Sequence, residues 1–201
     1  MRHHATTSPL QDIARTLSVA LGQRDEHTSL HSDRVVLLSA ELGQHIGLSD
    51  HELELLSLAA RFHDLGKIGI PDKILLKPAA FEQDEWACMK QHAVIGERII
   101  LAIEGEMTPT VARSVRHHHE HFDGSGYPDK LLGSAIPLYS RIISVTDSYD
   151  AMVASRPYHR ARLHQEVMDI LSSECGIKHD PDLLHAFKAV IEQSEMRAPD
   201  A

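Results

Sequence analysis

Apolar residues recur every three to four positions through most of this chain, and on several of these stripes a histidine or aspartate stands among the aliphatic residues. That combination restricts the fold more than any other feature. It calls for helices, and it calls for something that can satisfy polar groups carried into a core. Leu10 to Leu21 reads as a first helix, opened by Ser8 and Pro9 and closed at Gly22. A second runs from about Thr28 to Ile46 and stops at Gly47; Ser49 and Glu52 have capping-box spacing and open a third through about Asp64. Gly69, Pro71 and Pro78 break the next stretch into loop and a short helix. Further helices are predicted over Glu82 to Ile103, Pro109 to Glu120, Pro137 to Ala154 and Leu163 to Glu174. A last one, with Asp180 as N-cap and Pro181 at its first position, runs to about Ser194. No alternating β-pattern of useful length appears. The expectation is an all-α single domain, a compact helical bundle over residues 10–195, with a flexible N-terminal tail (1–9, including His3 and His4) and a C-terminal tail (196–201).

The stripes carry the polar groups to definite places. His31, Val35, Leu38, Leu42 and His45 share one face of the second predicted helix. Leu53, Leu56 and Ala60 lead to His63 and Asp64 at the end of the third, and His92 lies on the face of Ile95 and Ile99. Ile143, Asp147 and Ala151 repeat the pattern. In the stretch RHHHEHFDGSGYP, residues 116–128, the stripe Val111, Val115, His118 and Phe122 turns His118 and His119 inward, and turns His117 and His121 outward or behind them. Each position alone has a plain explanation, since a single histidine on an apolar face is usually a satisfied core residue. Seven such groups on five predicted helices would leave a core full of unsatisfied donors and acceptors. One shared metal centre resolves them together, and imidazole with carboxylate but no thiolate suits Fe, Mn, Zn, Ni or Co.

Composition excludes other classes. Cys88 and Cys175 are far apart and form no CxxC pair, so neither a disulfide framework nor a thiolate zinc site is expected, and a reducing, cytoplasmic setting fits. No apolar run approaches the roughly 20 residues that span a bilayer, so no membrane association is expected. The formal charge of −9 argues against binding a nucleic-acid polymer.

Four segments, HDLGKIGIPDKILLKP, HHEHFDGSGYP, IPLYSRIISVTDSYDAM and RPY, closely resemble the HD-GYP family, a branch of the HD phosphohydrolases that acts on cyclic di-GMP. The resemblance runs from about Thr28 to Phe187. It implies a helical bundle of the HD-domain type with an interior metal centre and a GYP loop. It also implies that one ion is held by His31, His63, Asp64 and Asp147 and a second by Asp64, His92, His118 and His119, with Asp64 bridging. Two divalent transition-metal ions, Fe or Mn in preference to Zn, Ni or Co, are therefore expected. A third remains open at His27, where some relatives have an acidic residue.

The implied reaction is hydrolysis of cyclic di-GMP to linear pGpG, to GMP, or to both. Two ions about 3.5–4 Å apart would acidify a bridging water and relieve charge on the phosphoryl oxygens. Asp64 and Lys67 are the expected catalytic groups, Lys67 stabilising the phosphate. Arg156, Tyr158 and His159 match positions that approach substrate, although a basic residue is usual where His159 stands. In the GYP loop, Gly124 and Gly126 are expected to supply unusual φ values, Pro128 to fix the exit, Tyr127 to pack, and Asp123 to orient a ligand histidine from behind. Ser140 and His179 replace an alanine and a phenylalanine and are expected to alter packing. Phosphohydrolysis of another cyclic dinucleotide is the alternative reaction. A module that keeps the fold and signals by contact with GGDEF-type cyclases or sensory domains is the alternative of another kind. About 27 residues precede the first motif, so the chain is either a stand-alone form or a fragment of a longer regulator.

Overall fold

The computed structural model describes residues 9–24, 26–154 and 161–200, without the side chains of 9–12, 15, 18 and 26–29. Helices α1 (Pro9–Gly22), α2 (Glu26–His45) and α3 (Asp50–Phe62) form the first layer. Gly47 adopts φ 84° after α2, a conformation that favours glycine, and the Ser49–Glu52 capping box opens α3 as its spacing predicts. A 3₁₀ turn (Leu65–Gly69) and the short α4 (Asp72–Leu75) follow, then α5 (Gln83–Met89), α6 (His92–Leu101) and α7 (Thr108–Arg116). Helices α8 (Leu138–Val153), α9 (His164–Ser173) and α10 (Pro181–Ile191) complete the bundle. The side chain of Asp180 caps α10 by accepting from the amides of Asp182 at 2.9 Å and Leu183 at 3.3 Å. No β-strand occurs among the described residues.

The long helix α2 packs against α3 and α8, and α6 packs against α7 and the 3₁₀ turn. Val35, Leu38, Leu42, Leu56, Phe62, Ile100, Val111, Val115, Ile142, Ile143, Tyr149 and Phe187 fill the interior, a mainly aliphatic core in a chain only 4% aromatic. A second, smaller cluster of Ile70, Ile74 and Met89, flanked by Leu75 and Phe81, lies under α4 and α5. Residues 196–200, set apart by the sequence as a tail, lie against the bundle: the Ala198 amide donates to the Tyr149 hydroxyl at 2.9 Å and the His164 amide to the Pro199 carbonyl at 3.2 Å. Of the N-terminal tail only Pro9 is among the described residues, as the first residue of α1.

Two predicted helices are shorter than their periodicity suggested. The span from Glu82 to Ile103 is broken at Lys90 and Gln91 into α5 and α6, and the helix expected to reach Glu120 ends at Arg116. At both breaks a histidine side chain takes a carbonyl near the helix end: His92 Nδ1 donates to Met89 O at 2.8 Å and His118 Nδ1 to Val115 O at 2.6 Å. The last four carbonyls of a helix have no amide partner, so imidazole there completes the helix end. His118 and His119 thus reach the interior through a turn, not along a helical stripe. On α6 the buried face is His92, Ala93, Gly96 and Ile100, with Ile95 and Ile99 only flanking it. His45, expected inward, is exposed at the end of α2.

Glycine sets the closest crossing. A Cβ at Gly66 would lie 1.8 Å from the carbonyl oxygen of His92, and one at Gly96 would lie 2.9 Å from Val115 Cγ1. The turn after the His63-Asp64 pair can therefore lie directly on α6. Gly66→Ala is expected to cost about 2 kcal/mol or more, within the range for forced overpacking, and to lower the urea midpoint of metal-free protein; an unchanged midpoint would contradict this packing.

Candidate metal centre

Backbone carbonyls fix the chemistry of three buried imidazoles. His63 Nδ1 lies 2.6 Å from Ala60 O, repeating the bonds that His92 makes to Met89 and His118 to Val115. A carbonyl can only accept, so Nδ1 carries the proton in each ring, and a neutral ring then turns an Nε2 lone pair inward. His63 Nε2 is buried with no hydrogen-bond partner among the described residues. His92 Nε2 and His118 Nε2 face each other at 3.4 Å, two lone pairs with no donor between neutral rings. A proton suits this place poorly, because burial and the neighbouring His63 and His92 push His118 down to about 3, and burial lowers His92 as well. Converging lone pairs that disfavour a proton are what a divalent cation requires, so the donor set fits the metal implied by the sequence.

Carboxylates complete the surroundings. His31 Nε2 is 3.0 Å from Asp147 Oδ1, and its Nδ1 is 2.6 Å from Asp150 Oδ2. Burial pushes the His31 imidazolium down, but the bonds to Asp147 and Asp150 outweigh it and carry His31 up to about 9. Arg34 in turn donates to both oxygens of Asp150, at 2.6 and 2.9 Å. Asp64 lies 3.5 Å from His63 Nε2 and 3.7 Å from His92 Nε2, and Lys67 Nζ is 2.7 Å from its Oδ2. Burial alone would raise Asp64, yet Lys67 and then His63 hold it well below the usual carboxylate range. Asp147 is likewise held low, burial being overcome by its bond to His31. Potential ligand atoms of His31, His63 and Asp64 lie within 4.8 Å of one another, as do those of His92, His118 and His119. All seven residues singled out in the sequence thus lie near one another: these two trios, with Asp147 beside His31 and Asp64 also 3.7 Å from His92 Nε2.

The GYP loop walls this cluster, partly by means the sequence did not indicate. Gly124 has φ 81°, as expected, but Gly126 is required for space: a Cβ there would lie 2.2 Å from the His121 amide nitrogen. Tyr127 precedes a cis peptide to Pro128, and its half-buried ring packs 5.0 Å from that of His119. Asp123 does not reach a ligand histidine; it is exposed and accepts from the Ser125 amide at 2.8 Å. His117 is not exposed but buried, bonding Arg113 O at 2.8 Å and Asp129 Oδ2 at 2.9 Å, while half-buried His121 meets Ser125 Oγ at 2.9 Å. His117, Glu120 and Asp129 form a third group with metal-like spacing. There, however, Arg116 grips both oxygens of Asp129, and Glu120 accepts from the amides of Asp129 at 2.7 Å and Leu131 at 3.1 Å, a clamp on the loop without need of an ion. Ser140 donates to Ser114 O at 2.8 Å, and His179 lies 3.2 Å from Glu174 Oε2, so both departures exchange packing for hydrogen bonds.

A cavity of about 310 Å³ opens over the cluster, lined by His31, Asp64, Lys67, His92, His119 and Asp147 on one side and by Leu75, Phe81, Trp86, Met89 and Tyr127 on the other. Arg156, Tyr158 and His159 lie outside the described residues, and so does the side chain of His27. Sequence reasoning missed Asp150 and Arg34, although each stands three residues beyond a group it did select, Asp147 and His31, on the same helical face. Asp150→Asn is expected to weaken divalent-metal binding on the order of 10- to 100-fold while circular dichroism stays unchanged; unaltered affinity would remove Asp150 from the site.

The family model of the HD domain matches residues 15–183. The cyclic di-GMP phosphodiesterase response regulator RpfG of Xanthomonas campestris pv. campestris is 38% identical over 180 residues, 88% of this chain and 48% of that protein. A cyclic di-GMP phosphodiesterase of Thermotoga maritima is 38% identical over 178 residues, 89% of this chain and 48% of that protein. The 3'3'-cGAMP-specific phosphodiesterase 2 of Vibrio cholerae is 32% identical over 174 residues, 87% of this chain and 33% of that protein. The chain thus spans about half the length of the first two relatives or less. Among solved structures, the V. cholerae cyclic GMP-AMP phosphodiesterase V-cGAP3 shares the fold with a TM-score of 0.70 at 19% identity, over 92% of this chain and 49% of that one. Bd1817, an HDG"Y"P protein of Bdellovibrio bacteriovorus, matches with a TM-score of 0.65 at 20% identity, over 82% of this chain and 52% of that one. A match to the family model over residues 15–183, with relatives 38% identical over nearly nine-tenths of the chain and the same helical fold in solved structures, makes this chain a member of the HD domain family.

Proposed function

We propose that this chain is a metal-dependent phosphodiesterase that hydrolyses cyclic di-GMP to linear pGpG, GMP or both. The observation that carries the reading is the inward set of unprotonated Nε2 atoms beside two ionised carboxylates, at the floor of a cavity with Lys67 on its wall. His31, His63, Asp64 and Asp147 would hold one ion and Asp64, His92, His118 and His119 the other. Fe or Mn is the favoured choice in keeping with the family resemblance, and Zn, Ni and Co fit the same imidazole and carboxylate ligands. Bound there, two ions would supply Lewis acidity at an anionic phosphodiester.

The protein's own groups do the rest. Lys67 carries a positive charge to the cavity wall, where it stabilises negative charge developing on the phosphoryl oxygens. Asp150, held by Arg34, fixes the ring of His31 from behind, and the three carbonyl bonds fix those of His63, His92 and His118. The low exposure of these side chains excludes bulk water and strengthens each charge interaction. We assign Arg156, Tyr158 and His159 to the phosphate and base of the substrate, and His27 to a third ion if one binds. The reading also includes a cytoplasmic setting, in keeping with free Cys88 and Cys175, and regulation through cyclase or sensory-domain partners. Among the described residues no helix is long and apolar enough to cross a membrane.

A second reading, hydrolysis of 3'3'-cGAMP, is favoured by the V. cholerae relatives of that specificity at 32 to 33% identity. Incubating metal-loaded protein with both dinucleotides and resolving the products by chromatography separates the two. Lys67→Ala is expected to reduce kcat about 10²- to 10³-fold with metal content intact. Changing His63 and Asp64 together to alanine is expected to abolish metal uptake and turnover at once. Retention of either, or tight dinucleotide binding without any hydrolysis by the parent protein, would turn the assignment toward a binding module.

A further inference from the structure

Trp86 is the chain's single tryptophan, and 45% of it is exposed. It stands on α5 at the rim of the cavity over the histidine cluster. Its indole is stacked on Phe81, with centroids 6.1 Å apart and 18° between planes, and meets Tyr127 edge-on at 6.2 Å. Tyr127 is in turn 5.0 Å from the ring of His119. Two ring-to-ring steps therefore separate this indole from the candidate metal ligands.

The wall that carries Trp86 is braced. Ile70, Ile74 and Met89 form a core of their own beneath it, with Leu75 and Phe81 packed on top. Helix α5 is closed at its start by Glu85, which accepts from the Glu82 amide at 2.8 Å and pairs with Lys77. Phe81 holds the indole from one side. A rigid aromatic held in water beside a polar cluster matches the face of a nucleobase, and the cavity joins the two in one volume.

We infer that Trp86, backed by Phe81, is the stacking platform for one purine base of a cyclic dinucleotide whose phosphate lies over the histidine–aspartate cluster. This rests on the phosphodiesterase reading above and adds a subsite to it. The neighbouring side chains on this wall, Leu75, Phe81, Met89 and Tyr127, offer mainly apolar and ring surface, so the platform grips the flat face of the base and does not read its edge. It contributes affinity to guanine and adenine alike, and the choice between dinucleotides is made elsewhere.

Because no other tryptophan is present, the emission of the metal-loaded full chain reports this site directly. Cyclic di-GMP and 3'3'-cGAMP are each expected to quench it saturably, and inorganic phosphate is expected to leave it unchanged. Trp86→Ala is expected to raise KM for both dinucleotides roughly 5- to 150-fold, the range for losing one base stack, with kcat and metal content held; Trp86→Phe restores most of the loss. Hydrolysis by the parent chain with no change in emission, or an unchanged KM in Trp86→Ala, overturns the platform and leaves the phosphodiesterase standing. Quenching without hydrolysis does the reverse. Emission that follows protein concentration and ignores dinucleotide also overturns it, by making the indole a contact between copies. Should Trp86→Ala fail to fold, the quenching of the parent chain decides alone.

Discussion

Three carbonyl oxygens govern this interior. Those of Ala60, Met89 and Val115 each take the Nδ1 proton of the histidine three residues later, and so commit His63, His92 and His118 to present bare Nε2 atoms to one another. The same bonds satisfy carbonyls at the ends of α3, α5 and α7 that have no amide to receive. Helix termination and the orientation of a candidate ligand are thus one event at each of these positions. Without a cation, an unpartnered nitrogen and a pair of opposed lone pairs are left in a buried space, which costs free energy that the folded chain must offset from its aliphatic core.

The bundle around this cluster divides its labour between rigid crossings and a lighter rim. Gly66 and Gly96 let the turn after His63 and Asp64 touch α6, so that candidate ligand groups from separate helices converge. Charged partners, His31 and then Arg34 at Asp150 and Lys67 at Asp64, keep these carboxylates ionised in a place where burial would protonate them. Outside lies a wall with its own small core, which carries the aromatic residues that border the cavity. On the proposed reading, the floor would act on phosphate and the wall would hold base.

Much of this was legible beforehand because helical period is a strong signal. The stripes through Val35 and Leu42, and through Leu56 and Ala60, pointed His31 and His63 inward without any structural knowledge. The Ser49 box and the Asp180 cap located helix starts to within a residue. What the period misjudged was continuity. Residues 90–91 and 117–120 look helical in sequence, but the carbonyls of Met89 and Val115 are claimed by imidazole, a competition that spacing does not display. The burial of His117 depends on Asp129, and the engagement of Glu120 on two amides of a loop nine or more residues away, pairings that no local pattern reveals. Trp86 escaped notice for a similar reason: it becomes part of the site only when α5 is set beside the GYP loop.

The tautomers of the three buried rings are the point on which the whole account turns, and nitrogen NMR of imidazole-labelled protein reads them directly. In metal-free protein near neutral pH, His63, His92 and His118 should each show a protonated Nδ1 and an unprotonated Nε2, and titration with Zn²⁺ should shift the Nε2 resonances while Nδ1 keeps its proton. Protons on Nε2 in any two of these rings, or Nε2 resonances that ignore added metal, would contradict it.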